Sequence, residues 1–362
     1  MITWHGVRTV ARQELRLRLR AGRWRWLLGA WSVVLGVVTA LLVAAADAAF
    51  AGSEVAGDRP VPLGPTVFGF LLLILVWLAL LVVPALAAQS VNGDRDRGTM
   101  ATLQVTLLSP AEIALGKFVA AWGAALVFLA AALPWVAWAV ALGGVGVVRA
   151  LALLGIVAVL LGVVAAMSLA LSAVLVRTTT SAMLAYLSVF ALVVGTLAAF
   201  GLVSTATTET RQVAYAEPVW DDPLRAEFDA QGEPIAPDRF EERTYDETVL
   251  HTERTWWLLA PNPFVVLGDA APGLPVVLDS RSGRPVDVDA LDPLGAIKDA
   301  VRAARAGPDP TVHPTSDPPR RGPAVWPWGL AFDVLLGVGA LAVTVRRLHT
   351  PTRHLPRGSR VA

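Results

Sequence analysis

The chain contains no cysteine, which excludes disulfides, thiolate metal sites and a cysteine nucleophile together. Lysine is nearly absent as well: it occurs only at Lys117 and Lys298, among 30 basic residues. Charge of either sign is scarce, at 16% of the 362 residues against 55% hydrophobic. A soluble domain of this length cannot bury so much apolar side chain, so lipid must solvate part of it. Catalytic signatures are missing too. A phosphate-cradling loop needs Gly, four residues, then Gly-Lys and Ser or Thr. The only Gly-Lys pair, Gly116 and Lys117, has Ala111 at the first position and Phe118 after it. No His-Glu-x-x-His falls among His5, His251, His313, His349 and His354, and no Gly-x-Ser-x-Gly occurs. The chain therefore reads as a non-enzyme with no bound metal or cofactor of its own and no nucleic-acid partner.

What is present is a set of long apolar runs. A helix needs about 20 apolar residues to cross the hydrocarbon core, and six windows qualify: 27–50, 64–88, 118–142, 150–176, 181–203 and 326–345. The expected fold is an all-α membrane protein with six transmembrane helices. Basic residues stay on the cytoplasmic side of a bilayer. With the N-terminus inside, 16 basic residues lie in inner segments, and only Arg59 and Arg149 lie in the two short outer loops. Both termini are then cytoplasmic, in the plasma membrane, with a basic tail at 346–362 after the last span, 325–345.

Spans five and six are separated by residues 204–324, which carry 21 acidic and 12 basic side chains. The orientation makes this a large acidic extracytoplasmic segment. Within it, IKDAVRAARA at 297–306 has the spacing of a short amphipathic helix, and the dense prolines of 308–327 predict an extended approach to span six. WWLLAPNPFVVLGDAAPGLPVVL at 256–278 is apolar, but four prolines and an Asn interrupt it. It reads as a surface-lying or shallow re-entrant segment, with Trp256 and Trp257 at headgroup level, in preference to a seventh span.

Two segments on the cytoplasmic side hold patterned charge. In the basic region 1–26, Arg8, Arg12, Arg16 and Arg20 recur every fourth residue on one helical face, with Val7, Val10 and Leu17 roughly opposite. This predicts an amphipathic interfacial helix, its arginines toward lipid phosphates and water. It would serve as a topology anchor or as a docking surface for a cytoplasmic partner. The second segment is the loop 89–117 between spans two and three. Asp94, Arg95, Asp96 and Arg97 form an alternating cluster, Gly98 permits a turn, and Thr99 can cap a helix over 99–108 presenting Met100, Leu103 and Leu107. Ser109 and Pro110 start a further helix, with Glu112 in its first turn.

The loop carries a resemblance. DRDRGTM at 94–100, LLSP at 107–110 and LGK at 115–117, between two spans and four more, resemble the membrane subunits of the type-2 ABC exporter family. Aspartates stand where the family more often has glutamates, and Met100 where leucine is commoner. NPF at 262–264 and the basic tail also resemble a subset of these permeases. The resemblance implies that Asp94–Met100, Leu103, Leu107, Ser109, Pro110, Glu112 and Lys117 form a coupling element seated against a cytoplasmic ABC ATP-binding subunit, which would bind ATP and Mg. It also implies a homodimer, or a heterodimer with a second permease.

Ionisable groups inside apolar spans are functional candidates by default. Asp47, near the outer end of span one, and Asp333, about two turns into span six, could line a translocation path or take a proton. The alternative is that each faces a hydrated interface or caps a polar neighbour. At the level of function the expectation is an exporter permease with an unidentified substrate. Its rivals are a non-transporting ABC-type scaffold or sensor acting through 204–324, and an ion-coupled secondary transporter.

Overall fold

The computed structural model describes residues 3–20, 22–50, 62–96, 98, 108–219, 239–274, 277–278, 285–286, 292–308 and 321–349. In chain order the helices are α1 (Trp4–Arg20), α2 (Gly22–Phe50), α3 (Gly64–Ala87), the short α4 (Asn92–Asp96), α5 (Pro110–Ala141) and α6 (Val147–Val174). Then come α7 (Thr178–Phe190), a π-helical turn (Ala191–Gly195) and α8 (Thr196–Ala206), which together make one continuous rod. The helices α9 (Pro263–Asp269), α10 (Pro293–Ala306) and α11 (Trp326–Leu348) follow.

Among the described residues, six helical stretches are long and apolar enough to cross a bilayer: Trp24–Ala49, Gly64–Asp96, Pro110–Ala141, Val147–Val174, Thr178–Ala206 and Trp326–Leu348. They coincide with the six windows read from the sequence. Span three starts eight residues before its apolar window, because Ser109 caps it. The Ser109 hydroxyl accepts from the Glu112 backbone N–H at 3.3 Å, and the Glu112 carboxylate accepts from the Ser109 N–H at 2.7 Å. This reciprocal capping box sets the first turn well ahead of the hydrocarbon.

Span two, α3, is the central helix and packs against α2, α5, α6, α7 and α10. Its Phe68, Leu71 and Leu72 are fully buried. Opposite them α5 supplies Ala121, Ala124, Ala125 and Ala132, and α6 supplies Leu153, Val157 and Leu161. Hydrocarbon gives no hydrophobic drive for helices to associate, so close van der Waals packing across small residues holds such a bundle. Trp31 adds a polar tie, its indole N–H donating to the Phe128 carbonyl at 3.0 Å.

The segment after span five departs from the all-α expectation. Thr208–Val219 (β1) and Arg239–Leu250 (β2) pair antiparallel, from Thr208 opposite Leu250 to Val219 opposite Arg239. A two-residue pair, β3 (Val277–Leu278) with β4 (Pro285–Val286), follows. At the base of the hairpin Arg254 donates to Glu209 at 3.1 Å and His251 lies 3.3 Å from the same carboxylate. The Arg254 hydrogen bond, and then the charges of His251 and Arg254, hold the Glu209 carboxyl below the usual carboxylate range. No spanning helix forms within 252–274, which folds as two 3-10 turns and α9. The amphipathic stretch 297–306 lies inside α10, with Leu294 and Val301 buried.

Candidate functional site

The polar groups collect at two ends of the span bundle, one bearing α1 and the loop after α3, the other bearing the segment after span five. At the loop end Lys117 is fully buried two turns into α5. Its ammonium donates to the Asp94 carboxylate, to Glu14 Oε1 at 2.5 Å and to the Ser90 carbonyl at 3.0 Å. All three donors of the ammonium are engaged. One side chain of span three thus ties down α1, α4 and the turn that follows α3.

The same end carries three further ties. Arg95 donates to the Ala173 carbonyl at 3.2 Å and the Leu175 carbonyl at 3.4 Å, placing a cation where the last carbonyls of α6 are left open. The Ser172 hydroxyl accepts from the backbone N–H groups of Val91 and Asn92 at 3.1 and 3.2 Å. Glu112, besides its part in the capping box, accepts from the Thr3 backbone N–H at 2.7 Å and so holds the start of α1. The helices α1 and α5 approach closely because Gly116 has no side chain: a Cβ there would stand 2.5 Å from Val10 Cβ.

On α1, Val7, Val10 and Ala11 are buried, while Arg8, Arg12 and Arg16 are exposed. Arg20 lies in the same helix, and its side chain falls outside the described residues. Asp96 is exposed, and Gly98 adopts a positive φ of 70°, the turn its sequence position suggests. Arg97, Thr99, Met100, Leu103 and Leu107, and with them the expected helix 99–108, lie outside the described residues, as does most of the proline-rich 308–327. Sequence reasoning missed Glu14, Ser90, Ser172 and Thr3. Glu14 had a readable signal: it is the one acid in residues 1–26, and it falls seven positions after Val7, on the apolar face of α1.

At the opposite end, three contacts fasten the segment after span five to the spans. Asp269, itself buried, accepts from Arg302 Nε at 2.6 Å and from the backbone N–H groups of Val325 and Trp326 at 2.5 and 2.7 Å, capping the start of α11. Asn262 caps α9 and also donates from Nδ2 to the Val193 carbonyl at 2.8 Å. Asp292, which caps α10, forms a buried ion pair with Arg149 at the start of α6. Asp333 is buried in α11, and neither carboxylate oxygen has a hydrogen-bond partner among the described residues. The capped-neighbour alternative therefore finds no partner here. Asp47 is exposed on α2.

These observations define a multi-pass membrane protein. In comparisons with known proteins the chain matches no family model, and no curated protein is significantly similar to it.

Proposed function

We propose that the chain is the permease subunit of a type-2 ABC exporter in the plasma membrane. The loop end faces the cytoplasm, and a separate ATP-binding subunit supplies ATP hydrolysis with Mg. The observation that carries this reading is the Lys117 junction. A lever pushed by an ATPase must not bend where it meets the spans. Lys117, Arg95 and Glu112 join residues 90–96 and α1 to spans three and four through buried or partly buried charge-assisted bonds, stronger than neutral ones. Force applied to the loop would reach those spans as a displacement of the whole unit. The exposed arginines of α1 suit an acidic partner face or anionic lipid. Two permease copies, alike or homologous, complete the assembly, and Asp333 belongs to its translocation path.

The test is to purify the chain from its native membrane together with any ABC-type ATPase bound to it, and to reconstitute the pair. A residue inserted after Leu103, or joint reversal of Arg95 and Arg97, should abolish association or stimulated hydrolysis. Normal association and turnover in both variants would overturn the assignment.

One observation favours a second reading, a non-transporting scaffold driven by the same ATPase. Asn262, Asp269 and Asp292 fasten the segment after span five to three different spans, so motion of the spans would move that segment. Hydrolysis without movement of any of a broad panel of substrates would select this reading over export.

A further inference from the structure

Span five is interrupted by a π-helical turn in which the Thr196 N–H bonds to the Ala191 carbonyl, five residues back. Such turns recur at functional sites. The side chains of Ala191, Gly195 and Ala199 are no larger than a methyl group, so this face of the rod forms a trough. Across from it stand Trp328 and Phe332 of α11, and the turns around Trp256 and Trp257 roof the space. The result is a cleft of about 650 Å³, within the roughly 300–1,000 Å³ of small-molecule sites.

The chemistry of the cleft is almost wholly apolar. Its one hydroxyl, on Thr196, donates to the Leu192 carbonyl at 2.8 Å and accepts from Asn262 Nδ2 at 2.9 Å. The Trp257 indole N–H donates to the Arg254 carbonyl at 3.0 Å. The nearby Arg305 guanidinium stacks on the Trp256 ring, 4.2 Å from its centroid, and the lining offers a ligand mainly apolar contact. The cleft opens onto the exposed apolar surface of the chain: Phe332, Trp257 and Trp328, which line it, are 48%, 58% and 63% exposed. Tryptophans gathered at one end of a span match the aromatic belt at the edge of the hydrocarbon.

We propose that this cleft is a lipid site holding one acyl chain of a phospholipid from the leaflet nearest the segment after span five. A chain moving from bilayer hydrocarbon into the cleft gains no hydrophobic free energy. Its preference comes from contact with the indole and phenyl rings and from the flat small-residue trough. The inference does not depend on the permease reading, because a scaffold with this fold would hold the same chain.

The experiment uses the full chain in nanodiscs of phosphatidylcholine carrying a photoactivatable diazirine near the end of one acyl chain, with adducts mapped by mass spectrometry. The reference surface is the Val37–Leu41 stretch of span one, in the half of that span away from α1, where Val37 and Leu41 are 55% and 65% exposed. Adducts on Ala191–Ala199 and Trp328–Phe332 should exceed those on the reference severalfold. Ala199→Trp, which fills the trough, should remove the excess and leave the reference adducts unchanged. Even labelling of both surfaces in the wild-type chain overturns the proposal without any variant. So does an excess that survives Ala199→Trp, or cross-linking of the cleft to a second copy of the chain in place of lipid.

Discussion

The ammonium of Lys117, itself fully buried, meets the carboxylate of Glu14 at 2.5 Å across 103 positions of sequence. Replacing Lys117 with Met would take this buried cation away from both the Glu14 and the Asp94 carboxylates. Breaking a buried ion pair from one side costs about 3–5 kcal/mol. Thermal unfolding in nanodiscs should register a loss of that order. Adding Glu14→Gln and Asp94→Asn to the same variant should recover part of it, because the two groups that lost the cation are then neutral. Recovery that failed to appear would mean that Lys117 acts by packing alone.

Arg95 separates stability from electrostatics. Arg95→Ala removes hydrogen bonds from a charged donor to the end of α6, each worth about 1.5–3 kcal/mol. Arg95→Glu goes further and sets a carboxylate against the Ala173 and Leu175 carbonyls, at the negative end of the helix dipole. Hydrogen exchange should rise around residues 88–96 and 172–177 in both variants, and more in Arg95→Glu. An equal rise in the two would count against a dipole contribution.

The close approach of α1 to span three rests on Gly116. Gly116→Val puts a branched side chain where even a Cβ stands 2.5 Å from Val10 Cβ. Over-packing of this kind costs roughly 1–3 kcal/mol, and here the strain can be released by lifting α1 away. Protease cleavage within 4–20 should become faster while the six-span body stays folded. Unchanged cleavage would mean that α1 is held without this contact.

Legibility in the sequence followed the range of the interaction. The six spans were readable because a helix in hydrocarbon needs a long uninterrupted apolar run, and the burial of Val7 and Val10 followed from spacing within one helix. Partnerships between distant elements were not readable. Nothing near Lys117 announces Glu14, and nothing near Asn262 announces the Val193 carbonyl, which lies in the π turn of span five. The hairpin escaped as well. Thr208–Val219 and Arg239–Leu250 carry charge along both strands, so neither shows the clean alternation of a half-buried strand. The expected loop helix 99–108 lies outside the described residues.

Asp269 holds the start of span six by accepting from two backbone N–H groups and from Arg302. Asp269→Ala orphans all three donors. Loss of a helix cap alone costs about 0.5–2 kcal/mol, and the Arg302 guanidinium loses its partner in addition. Amide exchange across Val325–Gly329 should accelerate, while the Lys117 end, on the other side of the bundle, stays protected. Asp269→Asn, which keeps an acceptor oxygen, should fall between the two. An exchange pattern indifferent to these changes would show that α11 is fixed by its packing on α6.

The base of the β1–β2 hairpin gives a pH prediction whose sign follows from Glu209. Its carboxyl is held below the usual carboxylate range in the folded chain, first by the Arg254 hydrogen bond and then by the charges of His251 and Arg254. A group whose pKa is depressed by folding stabilises fully above its unfolded value. That contribution is lost as pH falls through the ordinary carboxylate range to the lowered value. The pair is exposed, so the effect is small and weakens with salt. Hydrogen exchange across Thr208–Thr210 and Thr248–Leu250, corrected for the intrinsic pH dependence of exchange, should accelerate below the carboxylate range at low ionic strength. Glu209→Gln should exchange faster at neutral pH and lack the acid step. A wild-type chain and a Glu209→Gln variant responding equally to acid would place the pH sensitivity elsewhere in the hairpin.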